Sequence, residues 1–139
     1  MKPGFHLLLI SNSTVHGRGY LDHVDKEITD LLGPARKVLF FPYALHDHDG
    51  YAAKAKARFA AMGYDLSSAH SAADPQQAIA DTDSIFIGGG NTFRLLKALQ
   101  DLQFLEPIRQ RIRNGAPYIG SSAGSNVAGP TIKTTNDMP

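Results

Sequence analysis

Short apolar runs rich in branched residues alternate with helical stretches along nearly the whole of this chain, and few folds accommodate that order. The pattern is that of a parallel sheet buried on both faces by crossover helices. Phe5 to Ile10, Lys37 to Phe41, Ser84 to Ile87 and Pro117 to Ile119 are the predicted strands. A weaker one lies at Tyr64 to Ala69, after Gly63, a natural helix stop. Tyr20 to Leu32, Tyr51 to Met62, Pro75 to Asp81, Thr92 to Leu99 and Leu105 to Asn114 read as helices. Gly33-Pro34 closes the first and Asn114-Gly115 the last, while Asp74-Pro75 is a cap followed by proline at the first helical position. The expected fold is therefore α/β: a doubly wound, mostly parallel sheet with helices on both faces, forming a single domain over residues 1–139.

A chain of 139 residues can bury a real core. No internal repeat, low-complexity tract or linker divides it. It stops at Asp137-Met138-Pro139, after a polar loop, where a doubly wound sheet would normally continue. Either the domain ends raggedly there or the chain is a fragment whose C-terminal part is missing.

A net charge of +1, with both signs interspersed, cannot gather nucleic acid or anionic lipid by electrostatics alone. The absence of cysteine excludes disulfides, thiolate nucleophiles and cysteine-ligated metals. Phe5 to Ile10 is too short for a signal-peptide core, and no apolar run approaches the about 20 residues that span a bilayer. A cytoplasmic protein without nucleic-acid or membrane partners is expected.

The strongest chemical signal is Gly120-Ser121-Ser122-Ala123-Gly124, which follows the apolar Tyr118-Ile119 and matches the G-x-S-x-G nucleophile elbow. A serine on a sharp strand-to-helix turn needs small residues two positions away for the turn to close, and both are glycine here. The elbow would lift the Ser122 hydroxyl to the carboxyl edge of the sheet and aim backbone N–H groups at one point, where an oxyanion can be held. The bland alternative is a glycine-serine turn at a strand end.

Gly88-Gly89-Gly90-Asn91 follows the apolar Ile85-Phe86-Ile87 and precedes a helix. Successive glycines permit close approach of a ligand to the backbone. Such a loop can supply an oxyanion donor facing Ser122, bind a phosphate at the helix N-terminus, or be a simple turn capped by Asn91. It is not G-x-G-x-x-G, because Thr92 and Phe93 occupy the place of the third glycine, and it lacks a P-loop lysine. Gly89, Asn91 and, beyond the first strand, Asn12 are candidate substrate-binding residues; capping is the alternative for both asparagines.

Asp137 lies fifteen residues after Ser122, in Thr134-Thr135-Asn136-Asp137. It either orients a catalytic histidine or shapes the pocket, as carboxylates do in serine triads, or belongs to a solvated loop. His46-Asp47-His48-Asp49 has metal-ligand spacing but no further histidine cluster to complete a site, and reads better as a loop with Asp47 or Asp49 capping. No metal and no organic cofactor is expected.

Taken in series, Leu8 to Thr14 (LLISNST), Gly88 to Phe93 (GGGNTF), Tyr118 to Asn126 (YIGSSAGSN) and Pro130 to Pro139 (PTIKTTNDMP) resemble the S51 serine peptidase family, the α-aspartyl dipeptidases. The resemblance implies a class I glutamine amidotransferase-like fold, with serine at the elbow in place of cysteine, and hydrolysis of dipeptides that begin with aspartate. It further implies Ser122 as nucleophile and the Gly90 and Ala123 amides as the oxyanion hole. Asp137 matches an aspartate of the charge relay, a role for which a later acidic residue is the rival. Family members continue beyond this length, and the catalytic histidine falls in that continuation; no histidine follows Ser122 here. Residues 1–139 are thus expected to be the N-terminal portion of a longer domain and inactive alone, because the hydroxyl must lose its proton to attack. The remainder then exists as a second chain, was removed, or was lost by truncation; a homodimer is a further reading. A cyanophycinase-like hydrolase of other aspartyl peptides, a non-catalytic phosphate binder and a purely structural partner subunit are the competing readings.

Overall fold

The computed structural model describes residues 7–10, 25–33 and 36–121. Five strands, β1 (Leu7–Ile10), β2 (Lys37–Phe41), β3 (Asp65–Ser68), β4 (Ser84–Ile87) and β5 (Tyr118–Ser121), form one parallel sheet in the order β1-β5-β4-β2-β3. The helices are α1 (Asp25–Leu32), α2 (His48–Ala61), α3 (Pro75–Asp81), α4 (Thr92–Asp101) and α5 (Leu105–Arg113).

From β1 to β3 the chain travels toward one edge of the sheet, and from β3 to β5 it travels back. Right-handed crossovers made in opposite directions put their helices on opposite faces. The core divides accordingly. On one face Ile28 and Leu32 of α1 and Ala55 and Phe59 of α2 pack on Val38, Phe40, Leu66, Phe86 and Ile119. On the other, Ile79, Leu95, Leu99, Ile108 and Ile112 of α3, α4 and α5 pack on Leu39, Phe41, Ile85, Ile87 and Tyr118. Alternate residues of β2 and β4 thus serve opposite faces, which is why both strands read as continuous apolar runs. The doubly wound α/β architecture is the one expected.

Helix starts are set locally. Asp74 accepts from Gln77 N–H at 3.2 Å ahead of Pro75, and Asn91 accepts from Arg94 N–H at 3.0 Å. α2 begins three residues earlier than its apolar pattern suggests, because Asp47 accepts from Gly50 N–H at 3.0 Å and draws His48 and Asp49 into the first turn. Among the described residues no helix is long and apolar enough to cross a membrane.

At the amino edge of the sheet, Asp83 Oδ2 accepts from Lys37 N–H at 3.0 Å and Arg36 N–H at 3.1 Å, tying the entry of β2 to that of β4. These bonds hold the carboxyl below the usual carboxylate range. A depressed folded-state pKa stabilises above the unfolded value of about 3.9, and the gain is lost as pH falls through the folded one. Asp83→Asn is expected to flatten the acid limb of the stability curve, by under about 1 kcal/mol because the group is exposed; urea melts between about pH 5 and pH 2 read it.

Candidate functional site

Two glycine-bearing motifs leave the sheet from adjacent strands. β4 and β5 are parallel neighbours with Ile87 opposite Gly120, so the exit of the chain toward Gly88 lies beside its exit toward Ser122, at a strand spacing of about 4.8 Å. β1 flanks β5 on the other side, with Ile10 opposite Ser121, and leads to Asn12 from the same edge. This carboxyl edge is where open α/β sheets take their ligands. Ser122, Ala123, Asp137 and Asn12 themselves lie outside the described residues.

The glycine loop is held tightly. Gly88 N–H donates to Phe41 O at 3.2 Å, and Asn91 N–H to Ala44 O at 2.9 Å. Gly90 has φ +140°, and a Cβ there would lie 2.6 Å from Ala44 O. Both the dihedral and the contact demand glycine. The Gly90 amide has no backbone acceptor among the described residues, and the residue is exposed, so its N–H is free to meet a ligand. Gly89 is buried. The Asn91 side chain caps α4, the alternative recognised for it in the sequence.

Around the rim, Arg94 Nη1 lies 3.3 Å from His46 Nδ1. Asn91, Phe93, Arg94 and Lys97 border a recess of about 360 Å³, with Phe93 87% exposed. Tyr118, at the root of the elbow strand, is fully buried, and burial pushes its phenol far above the ordinary value, so it stays neutral.

The histidine-aspartate segment 46–49 is dispersed by the fold. Asp47 caps α2, while Asp49 Oδ1 lies 2.7 Å from His70 Nε2, at the end of β3. His70 Nδ1 meets Ser68 Oγ, and the His48 ring stands between those of Tyr43 and His70, at 5.1 and 5.7 Å. Among the described residues no three metal-ligating side chains converge. Ser68, His70 and Asp49 form a hydrogen-bonded series, but Ser68 is only 7% exposed and stands on β3, separated from β4 by β2. The series joins α2 to β3. The sequence reads His70 as a surface or partly buried residue rather than a catalytic base, and it is half-buried; Tyr51 carries no signal in the sequence beyond its place in α2, because its contact with Gly88 is distant in sequence.

A family-wide sequence model described as Peptidase family S51 matches residues 7–139. Peptidase E of Streptomyces coelicolor is 46% identical over 134 residues, covering 96% of this chain and 55% of that protein. A Drosophila melanogaster protein named "Probable alpha-aspartyl dipeptidase" is 47% identical over 142 residues, covering 100% of this chain and 59% of that one. The chain therefore spans a little over half the length of these relatives. A crystal structure from Listeria monocytogenes EGD-e matches with TM-score 0.67 and 25% identity, covering 85% of this chain and 58% of that one. A peptidase from an acI-B1 Actinobacterium shares the fold, with TM-score 0.66, 17% identity and coverage of 85% and 54%.

Proposed function

The chain belongs to peptidase family S51, and from that premise we propose that the protein is a serine dipeptidase hydrolysing dipeptides with an N-terminal aspartate. The observation that carries the proposal is the parallel pairing of β4 with β5, Ile87 opposite Gly120, which starts the glycine loop and the nucleophile elbow side by side. The name borne by the Drosophila relative supports the substrate class, and that of the Streptomyces relative supports peptidase activity.

In this mechanism Ser122 Oγ attacks the carbonyl carbon of the aspartyl residue, and a histidine outside residues 1–139 takes the hydroxyl proton. The Gly90 and Ala123 amides hold the oxyanion, which develops at the edge of the sheet rather than in bulk water. Collapse of the tetrahedral species expels the C-terminal amino acid, whose amine takes the proton from the histidine. Water, activated by the same base, then releases aspartate from Ser122. Asp137 orients the histidine, or yields that role to a later acid. Gly89, Asn91 and Asn12 border the bound dipeptide. No step calls for a metal or an organic cofactor.

The test is substrate profiling of the full-length protein, coupled to labelling by a serine-reactive fluorophosphonate. Turnover of Asp-Xaa dipeptides with stoichiometric label on Ser122 is expected. Preference for β-linked aspartyl peptides would shift the reading to a cyanophycinase-like hydrolase. Calorimetric heat with nucleotides, and no turnover, would replace it by a phosphate binder.

A further inference from the structure

We infer that Tyr51 is a positioning residue that sets where the glycine loop presents its amides, an inference that rests on the dipeptidase reading of this edge. The argument begins with why position 88 is glycine. Gly88 does not lie in the left-handed region, so its backbone would accept any residue. Its neighbour would not. A Cβ at Gly88 would stand 2.5 Å from the Tyr51 hydroxyl oxygen, 2.6 Å from Cζ and 2.8 Å from Cε2. The Tyr51 ring occupies the place a side chain at 88 would fill, and it presses directly on the backbone that leads to Gly90.

The ring is itself fixed from several directions. It meets Phe40 edge-on with centroids 5.0 Å apart, and Tyr51 is 8% exposed. Its N–H donates to Asp47 O at 3.1 Å in the first turn of α2. That turn is capped by the Asp47 side chain and tied to the end of β3 by Asp49 and His70, 2.7 Å apart. A ring anchored in this way leaves the glycine loop one position to adopt. The loop is also bonded to the end of β2 and to the segment that precedes α2, through Phe41 O and Ala44 O. Residues 88–91 are thus held both by Tyr51 and by the backbone of Phe41 and Ala44, and the Gly90 N–H direction follows from those contacts.

A misplacement of about 1 Å costs on the order of 100-fold in rate, because an oxyanion donor acts only at hydrogen-bond distance. In the full-length protein, Tyr51→Ala is expected to lower kcat for an Asp-Xaa dipeptide by on the order of 10- to 100-fold, with KM within about twofold. Tyr51→Phe keeps the ring and is expected to restore kcat to within about threefold. Gly88→Ala attacks the same contact from the other side and should match Tyr51→Ala, so the idea stays testable if Tyr51→Ala does not fold. In Tyr51→Ala/Gly88→Ala the added methyl occupies vacated space, and the two losses should not multiply.

Hydrogen exchange of the bonded Gly88 and Asn91 amides supplies a readout independent of turnover, expected to speed at least about tenfold in Tyr51→Ala and to stay near the wild-type rate in Tyr51→Phe. Unchanged kcat and unchanged exchange in folded Tyr51→Ala would overturn the inference, as would losses that multiply in the double variant. A wild-type protein that leaves Asp-Xaa dipeptides intact would instead sink the dipeptidase reading, and the exchange rates would still decide whether Tyr51 holds the loop.

Discussion

Ser122→Ala in the full-length protein is expected to lower kcat for Asp-Xaa dipeptides by on the order of 10⁴- to 10⁶-fold while leaving the melting temperature nearly unchanged. The size of the loss follows from what the hydroxyl does. Without it no acyl-enzyme forms, and only binding and the oxyanion donors remain, which together contribute far less than the intact nucleophile and base. The small stability effect follows from the size of the change, since Ser to Ala removes one hydroxyl and no apolar surface. Steady-state kinetics and fluorophosphonate labelling check both halves. Ser121→Ala is the discriminating control, because β5 runs through Ser121, paired with Ile10. In the G-x-S-x-G register the nucleophile is one residue further on, and Ser121→Ala should keep most of the activity. Loss of label in Ser121→Ala and not in Ser122→Ala would move the elbow by one residue and undo the assignment.

The second large effect is expected at Gly90. Gly90→Ala should reduce kcat by on the order of 10²- to 10³-fold, the usual consequence of displacing one oxyanion donor, and destabilise the fold by about 1–3 kcal/mol. Two physical penalties coincide there. The backbone sits at φ +140°, which a side chain rarely adopts, and a Cβ would press on Ala44 O at 2.6 Å. Ala44 O also accepts from Asn91 N–H, so it cannot withdraw without loosening the entry to α4. Relief must come from the loop, and moving the loop moves the donor. Gly33 provides the contrast, with φ +52° and nothing within 4 Å of an added Cβ. Gly33→Ala should cost about 1–2 kcal/mol in a thermal melt and leave kcat unchanged. Equal kinetic losses in the two variants would show that general destabilisation, not donor geometry, is responsible.

Much of the architecture is legible in the chain because it is encoded over short distances. β2, β4 and α3 run between the residues their patterns mark, since an apolar run bounded by polar ends, or an Asp-Pro cap, states its own limits. The start of α2 was less legible: its first turn, His48 and Asp49, is polar, and apolar periodicity carries no information where the residues face water or a distant partner. β3 is shorter than the Tyr64 to Ala69 run, because Ala69 turns into a short 3₁₀ segment with His70 and Ser71.

The chemistry divides in the same way. That Ser122 lies between glycines, that Gly88, Gly89 and Gly90 follow an apolar strand, and that Asn91 caps a helix are all properties of a few consecutive residues, so the chain alone determines them. Strand order is a different kind of fact. Only the folded sheet, by laying β5 against β4, sets the two glycine motifs side by side, and only the packing of α2 presses Tyr51 onto Gly88 and joins Asp49 to His70. These contacts link residues about 20 to 40 positions apart and depend on loop closure and core burial summed over the whole domain. No local spacing can announce them.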